Sequence, residues 1–504
     1  MSATSFLGLS GLARDPYIRA LREAAADGRT GSLYLVGGYL RDLLLGRTRA
    51  RRIDLDLVIW GDPQSFGRAV AGAFNGTLLV LDPETVRVLS RREGMPVRID
   101  ISGPKGETIE ADLAARDFTV NALAVRIDSG LRNATAVIID PSGGVDDLKG
   151  RCLRAVAPSA LDRDPLRLIR AARLAGELNF SVENATWLAI VERAPLLAAV
   201  AGERVRDELF RIIDTVPAVP SIERLDALGL LKVLVPEVEA LKSVPASPPH
   251  RLPLWEHSLE TLRSVELLVA DLGQFFPGEA SWLRERLDRE IEAGVTEAAV
   301  IKLTGLLHDL GKPETRSIEP DGRIRFLGHE EAGLPILARL CERLRLGRQA
   351  TALVGQIERH HLRPLHLSRE AMVTERAKYR FFRHLDDTAP AVLLHSWADL
   401  RATIGEGVEE FSRYHIFLQE QFRFYRTEFL ASQTAPLMRG DDLIQLLGVA
   451  PGPFLGLVLE RLREAQATGL IRNRAEGLAY VRQHLDSWGR TFEDLPSPHE
   501  LSGG

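Results

Sequence analysis

All twelve histidines of this 504-residue chain lie at or after His250, and none lies in the first half. The strand signals are distributed the other way. LYLV (33–36), IDLDLVIW (53–60), LLVL (78–81), VRVLS (86–90) and VRIDIS (97–102) are apolar or alternate with period two, whereas helical spacing dominates from residue 160 onward. The two halves therefore cannot share one architecture. A break at SVPASPPHRLPL (243–254), with proline at 245, 248, 249 and 253, falls between them. The first half also carries dense arginine: Arg41, Arg47, Arg49, Arg51 and Arg52, then Arg163, Arg167, Arg170 and Arg173. Arginine suits phosphate and histidine suits transition metals, so two chemistries are expected on one chain.

Composition narrows the classes. With 45% hydrophobic and 26% charged residues the chain has the make-up of a globular protein, with room for three or four domains. No run of eighteen apolar residues and no leader-like N-terminus occurs, so no membrane partner is expected. Two cysteines, Cys152 and Cys341, are too few for a disulfide framework and point to the cytoplasm. The net charge of −5 confines any nucleic-acid site to a local basic surface. Nothing in the sequence fixes an oligomeric state.

Asp54 and Asp56 sit two apart on a predicted strand, so both carboxylates leave the same face and invite a divalent cation such as Mg²⁺. Seventeen residues before Asp54, Gly37-Gly38 ends a strand and opens the helical pattern YLRDLLLG, with Arg41 on its first turn. Asp100, on another strand, offers a third carboxylate. In IEADLAARDFTVNALAV (109–125), Arg116, Asp117 and Asn121 interrupt an apolar run that reads as helix or strand. Arg167, Arg170 and Arg173 follow at three-residue steps, on one helical face fit to bind a triphosphate and a base. Taken alone, each feature also has a plain reading as a turn, a surface strand or a solvated basic face.

The ordered set GGYLRDLLLG…DLD, ARDFTVNALA, DPLRLIRAARLA and ERVRDEL (203–209) resembles the class II tRNA nucleotidyltransferases, a family of CCA-adding, CC-adding, A-adding and bacterial poly(A)-polymerase members. The resemblance covers roughly residues 30–240. It implies an α/β nucleotidyltransferase head with a small mixed or antiparallel sheet (1–155) and an all-α neck and body (156–243). It assigns catalysis to Asp54, Asp56 and Asp100, with magnesium on the first two. It assigns nucleotide binding to Gly37, Gly38, Arg41, Arg116, Asp117, Asn121, Asp164, Arg167, Arg170 and Arg173, the pair Asp164 and Arg167 reading the base edge. The implied reaction is in-line attack of the tRNA 3′-hydroxyl on the α-phosphorus of CTP or ATP, releasing pyrophosphate with two metals assisting. Three departures stand out. Ala115 replaces the first Arg of the R-R-D motif, Arg163 replaces the Glu of E-D-x-x-R, and only a short stretch containing SGPKGETIEA joins Asp100 to Asp112. Fuller family members carry there a longer basic loop associated with the switch from C to A addition, so CC addition and full CCA addition are both open.

A second constellation lies in the C-terminal half: His257 in WEHSLETL, His308-Asp309 in LLHDLGKPET, His329 in FLGHEEAG, His360-His361 in IERHHLRP and Asp399 in HSWADL. Imidazole and carboxylate ligands together suit Mn²⁺, Ni²⁺, Fe²⁺ or Zn²⁺. The pattern resembles the HD superfamily of metal-dependent phosphohydrolases. It implies an all-α HD domain (250–430) with His257, His308, Asp309 and Asp399 on one metal, His329 and His360 or His361 available for a second, and Lys312 as a phosphate partner. His250, His366, His384, His395, His415, His484 and His499 read more plainly as capping or partly buried histidines. The last stretch, 431–504, reads as a helical tRNA-binding segment in which Arg461, Arg463, Arg472 and Arg474 would track phosphates. Two alternatives are carried forward: a bacterial poly(A) polymerase, and an HD 2′,3′-cyclic phosphodiesterase or phosphatase for which the head only binds RNA.

Overall fold

The computed structural model describes residues 12, 14–25, 31–47, 53–128, 137–434 and 436–493, the side chains at 434 and 490–493 excepted. Arg49, Arg51, Arg52 and His499 lie outside the described residues. The chain divides into two compact units, 1–236 and 237–504.

In the first unit, seven strands form one sheet: β1 (Leu33–Val36), β2 (Ile53–Ile59), β3 (Thr77–Asp82), β4 (Thr85–Arg92), β5 (Met95–Ser102), β6 (Ala124–Arg126) and β7 (Ile138–Ile139). The order is β3-β4-β5-β2-β1-β6-β7. β2 and β5 run parallel, while the other neighbours are antiparallel, so the sheet is mixed. All five strands expected from alternation form.

The run 109–125 resolves into three pieces: helix Ile109–Ala114, a 3₁₀ turn over Thr119–Asn121, and β6. β6 and β7 have only three and two residues, too few for a period to show. One more correction falls in the region read as purely helical, where Ser181–Val182 pairs in parallel with Cys152–Leu153.

The period of two in β2 sends Leu55 and Leu57 to one face, and helix Pro63–Ala73 covers the sheet with Phe66 and Val70. Asp62 starts that helix by accepting from the N–H groups of Gln64 (3.1 Å) and Ser65 (3.0 Å), with Pro63 at the first helical position. Gly67 permits the close approach, since a Cβ there would lie 2.7 Å from Val86 Cγ2. Elsewhere Val36, Val58, Ile109, Leu113, Ala122 and Ala124 form a separate apolar cluster. Beyond the sheet, helices Leu166–Leu178 and Gly202–Asp214 pack together.

The second unit is helical, interrupted by hairpins Glu290–Glu292/Val295–Thr296 and Ser317–Ile318/Ile324–Arg325, the latter at the expected turn. Its centre is helix Glu297–Leu307, buried at every position and therefore apolar on nearly all sides. Helices Leu254–Ala270, Arg348–His360 and Ala389–Ile404 surround it. Helices Gly440–Leu447, Pro453–Ala467 and Arg474–Glu493 carry a core of their own around Leu443, Val458, Leu462 and Val481. Among the described residues, no helix is long and apolar enough to cross a membrane.

Phe66 is 2% exposed between helix and sheet. Phe66→Ala is expected to destabilise the first unit by about 3–5 kcal/mol, read as a lower urea midpoint for that unit's transition.

Candidate active site and metal centre

β1 delivers the chain to Gly37, whose φ of 76° favours glycine, and helix Gly38–Leu44 starts there. A Cβ on Gly37 would also lie 2.8 Å from Asp56 Oδ2, so the glycine makes room for the carboxylate. The parallel register of β2 and β5 sets Asp54 beside Arg98 and Asp56 beside Asp100, all on one face. Arg98 Nε lies 3.0 Å from Asp54 Oδ1, and Arg87 grips both oxygens of Asp100 at 2.7 and 2.9 Å. Burial pushes the Asp56 carboxyl above its ordinary range, against the pull of Arg116 and Arg98, and Asp100 and Asp54 push it the same way. A desolvated carboxylate flanked by two others is the setting a hard divalent cation relieves, and the oxygen donors fit magnesium.

Around this face the charges are locked. Asp117 accepts from the Phe118 N–H (2.8 Å) and from Asn121 (3.2 Å), and pairs with Arg170 (3.0 Å). Burial opposes its charge, but Arg170 and these hydrogen bonds hold Asp117 below the usual carboxylate range. Asn121 in turn accepts from Arg41 at 2.7 Å. Glu208, 3% exposed, bonds Arg173 at 2.6 Å and Arg170 at 3.3 Å, with Arg211 at 3.5 Å. One buried carboxylate thus orients three guanidiniums.

The result is a cavity of about 810 Å³. Gly37, Gly38, Arg41, Asp54, Asp56, Arg116, Asp117, Asn121, Arg170 and Arg173 line it, as do three cations that the sequence reading did not single out for the site: Arg47, Arg98 and Arg211. The signal for Arg98 was present, since it alternates with Asp100 on VRIDIS. Three expected residues are not among the lining. Asp100 is held by Arg87, Asp164 pairs with Arg204 at 2.9 Å, and Arg167 donates to the carbonyls of Ala115, Arg116 and Ala160, each at 3.1 Å.

In the second unit five helical segments converge. Helix Leu254–Ala270 presents His257, His308-Asp309 follows Leu307, His329 opens helix His329–Arg343, His361 follows helix Arg348–His360, and helix Ala389–Ile404 presents Asp399. His257 Nε2 is 3.1 Å from Asp399 and 3.4 Å from Asp309, and His308 Nε2 is 3.2 Å from Asp309. His329 and His361 bring their Nε2 atoms to 3.3 Å of each other. The Nδ1 atoms of His308, His329 and His361 face the carbonyls of Gly305 (3.2 Å), Phe326 (2.8 Å) and Glu358 (2.7 Å). A proton on each Nδ1 leaves the Nε2 lone pairs directed inward, as metal ligation needs. Burial disfavours charge on His308, yet Asp309 and Asp399 hold it up to about 10, a proton that a cation would displace. Among the described residues three ligand sets form, His257/His308/Asp399, His308/Asp309/His361 and His250/His257/Asp309. Nitrogen and oxygen donors in this mixture suit a transition metal.

His361, not His360, belongs to the cluster. His360 turns instead to His384, with the Nε2 atoms 3.3 Å apart. Two histidines given the plain reading lie beside the centre. The His395 ring is 5.0 Å from His308, one helical turn before Asp399, a spacing that sequence could have offered. The His250 ring is 5.0 Å from His257. Burial and neighbouring Lys312 push His250 down to about 3. His415 and His484 are ordinary packed histidines, bonded to Trp397 Nε1 (2.9 Å) and the Tyr480 carbonyl (2.8 Å). In the last helices Arg474 pairs with Asp442, and Arg461 with Glu464 at 3.1 Å.

A mixed sheet with paired carboxylates over an arginine-lined cavity fits nucleotidyl transfer, and the helical unit adds a histidine–aspartate centre of the HD type. Family models agree: a poly A polymerase head domain matches residues 33–154, a probable RNA and SrmB-binding site of polymerase A matches 179–242, and an HD domain matches 254–382. A CC-adding tRNA nucleotidyltransferase of Geobacter sulfurreducens is 33% identical over 89% of this chain and 91% of its own length. An A-adding tRNA nucleotidyltransferase of Deinococcus radiodurans is 32% identical over 89% and 94%. The chain belongs to the tRNA nucleotidyltransferase family. In fold it resembles a CCA-adding enzyme solved with ATP (TM-score 0.61, 21% identity, covering 96% of this chain and 98% of that one). It also resembles the Thermotoga maritima CCA-adding enzyme solved with tRNA (TM-score 0.60, 21% identity, 96% and 100%).

Glu208→Gln takes the counter-charge from the half-buried Arg170 and Arg173 and the exposed Arg211, and is expected to cost about 1–2 kcal/mol of stability. Burial opposes the Glu208 charge, but Arg173, Arg170 and Arg211 hold the carboxyl below its ordinary 4.5. Its contribution is therefore complete above pH 4.5 and lost as pH falls through the depressed value. Urea midpoints measured from pH 7 to 3 should fall more steeply for the wild type than for Glu208→Gln.

Proposed function

We propose that this enzyme adds cytidine to the 3′ end of tRNA in the cytoplasm and stops after two additions. The observation that carries the stop is the link between β5 and helix Ile109–Ala114. Only residues 103–108 intervene, and they are tied at both ends and between. The Gly103 N–H bonds the Glu84 carbonyl (2.9 Å), the Lys105 N–H bonds Asp112 (3.0 Å), and Thr108 caps the helix through the Ala111 N–H (3.2 Å). This is where the family's switching loop for A addition would emerge. The Geobacter relative named CC-adding supports the same reading.

Asp54 and Asp56 would hold magnesium, which when bound lowers the cost of ionising the attacking 3′-hydroxyl and of releasing pyrophosphate. The chain's own groups do the positioning. Arg41, Arg116, Arg170 and Arg173 surround the triphosphate with guanidiniums already oriented by Asn121, Asp112, Asp117 and Glu208. Asp164, at the start of helix Leu166–Leu178, would read the base edge by exchanging Arg204 for the base, and Arg167 would join it on releasing the Ala115 and Arg116 carbonyls. Asp100, held by Arg87, would add a third negative charge beside Asp56 from the neighbouring strand. In the C-terminal half, His257, His308, Asp309, His329, His361 and Asp399 would hold Mn²⁺, Ni²⁺, Fe²⁺ or Zn²⁺ and serve phosphoester hydrolysis at RNA ends.

Labelled CTP and ATP, offered separately and together to tRNA ending at the discriminator base, at C and at CC, test this. Two C additions followed by a stall are expected. Completion to CCA overturns the stop alone, addition of A only to CC-ended tRNA favours the activity named for the Deinococcus relative, and a long A tail favours a poly(A) polymerase. Asp56→Ala is expected to lower CTP incorporation by roughly 10³-fold with tRNA binding retained.

A further inference from the structure

The HD centre is nearly sealed. His257, His308 and Asp309 are 0% exposed and His361 1%. The cavity bordering the centre at Lys312 measures about 10 Å³, room for no more than one water. His250, Leu252, Lys312 and Phe326 line that cavity, and the first two come from the proline-rich stretch that the sequence marked as a break.

His250 is more than a cover. Its imidazole, the His257 ring and the Asp309 carboxylate each offer a ligand atom within 4.8 Å of the others. The Lys312 ammonium joins two of them, 3.0 Å from His250 Nε2 and 2.8 Å from Asp309 Oδ2, a place that a bound metal would take over. The stretch carrying His250 is anchored where the Arg251 N–H bonds the Thr403 carbonyl (3.2 Å), and it is closed on itself by the Leu254 N–H on the Val244 carbonyl (3.1 Å). Thr403 lies one turn past Asp399 on the same helix and directs its hydroxyl at Asp399 Oδ1 (3.4 Å). The stretch is therefore anchored to the helix that supplies a ligand of the same centre.

We propose that His250 is a ligand of the HD centre, added to the set of histidines and aspartates already described, and that it closes the coordination position a substrate phosphoester would take. A catalytic metal keeps one position open whereas a structural one is filled by protein. With His250 bound, the metal staples the proline-rich stretch onto the helical domain, and hydrolysis requires that stretch to release it. This inference rests on the reading of the cluster as a metal centre.

The experiment loads the full-length apo chain with Co²⁺, following the visible absorption and the free ion under chelator competition, in the wild type, His250→Phe and His250→Cys. The phenylalanine keeps a ring against His257 but has no donor, and the cysteine offers a thiolate. Co²⁺ affinity should fall about 100-fold in His250→Phe, given that even outer-shell partners are worth roughly 10–100-fold. His250→Cys should retain it with a new thiolate-to-cobalt charge-transfer band. Hydrolysis of bis(p-nitrophenyl) phosphate by the loaded chain should rise in His250→Phe, while CTP incorporation by the head stays unchanged in both variants. Equal Co²⁺ affinity in wild type and His250→Phe overturns the ligand role and leaves the centre standing. A wild-type chain that takes up no Co²⁺ overturns the centre itself.

Discussion

The parallel register of β2 against β5 is the constraint on which the head depends. It sets Asp56 opposite Asp100 and Asp54 opposite Arg98, with four charged side chains on one face of two adjacent strands. Because side chains alternate, a slip of one residue would turn β2's carboxylates into the layer filled by Phe66 and Val70. Leu55, Leu57, Ile99 and Ile101, each 1% exposed or less, make that slip costly. The apolar residues of these strands thus fix the geometry of the acids, although they touch no substrate. Gly37 follows from the same constraint, since Asp56 occupies the space its side chain would need.

A second layer of charge converts the sheet face into an anion-binding cavity. Asp117 and Glu208 are nearly buried, and both are spent on Arg170, while Glu208 also serves Arg173 and Arg211. The arginines outnumber their buried acids, so the lining is net cationic around the acidic pair. Each guanidinium held in this way has already given up much of its roughly 2 kcal/mol of rotamer entropy before a triphosphate arrives. That is the physical meaning of preorganisation here: the cost of fixing the long side chains is met in folding and not in binding. Arg167 is the exception on the same helical face. Its three carbonyl acceptors lie at residues 115, 116 and 160, so it braces the loop that carries Asp117.

Much of this was legible in the sequence, and the boundary of legibility has a cause. Strand alternation revealed Asp54, Asp56 and Asp100, because a period of two is a local property. Helical spacing placed Arg167, Arg170 and Arg173 on one face for the same reason. Their partners lie far along the chain: Asp117 is 53 residues from Arg170, and Glu208 is 35 from Arg173. No local period encodes such pairings, so a face expected to meet phosphate directly is partly engaged by acids. Strands of two and three residues escaped for want of length. His250 received the plain reading because it lies in a proline-rich stretch with no helical period, and only packing brings it to His257; His395 stands one turn before Asp399, a local spacing that was legible, while its contact with His308 is not local.

The two sites solve the same electrostatic problem in opposite ways. In the head, acids meet across a register, and Asp54 and Asp56 face a large cavity, where oxygen donors open to solvent would suit a hard, exchangeable cation. In the helical domain, backbone carbonyls fix three imidazoles by their Nδ1 atoms, and the ligand atoms face inward behind a closed surface. A group so placed exchanges with solvent only when a segment moves, and the segment nearest to the centre is the proline-rich stretch. Proline limits how far that stretch can sample other conformations, which favours a closed state that is kept over one that fluctuates. The same four prolines that marked a domain break in the sequence therefore restrict the segment that lies against the histidine centre.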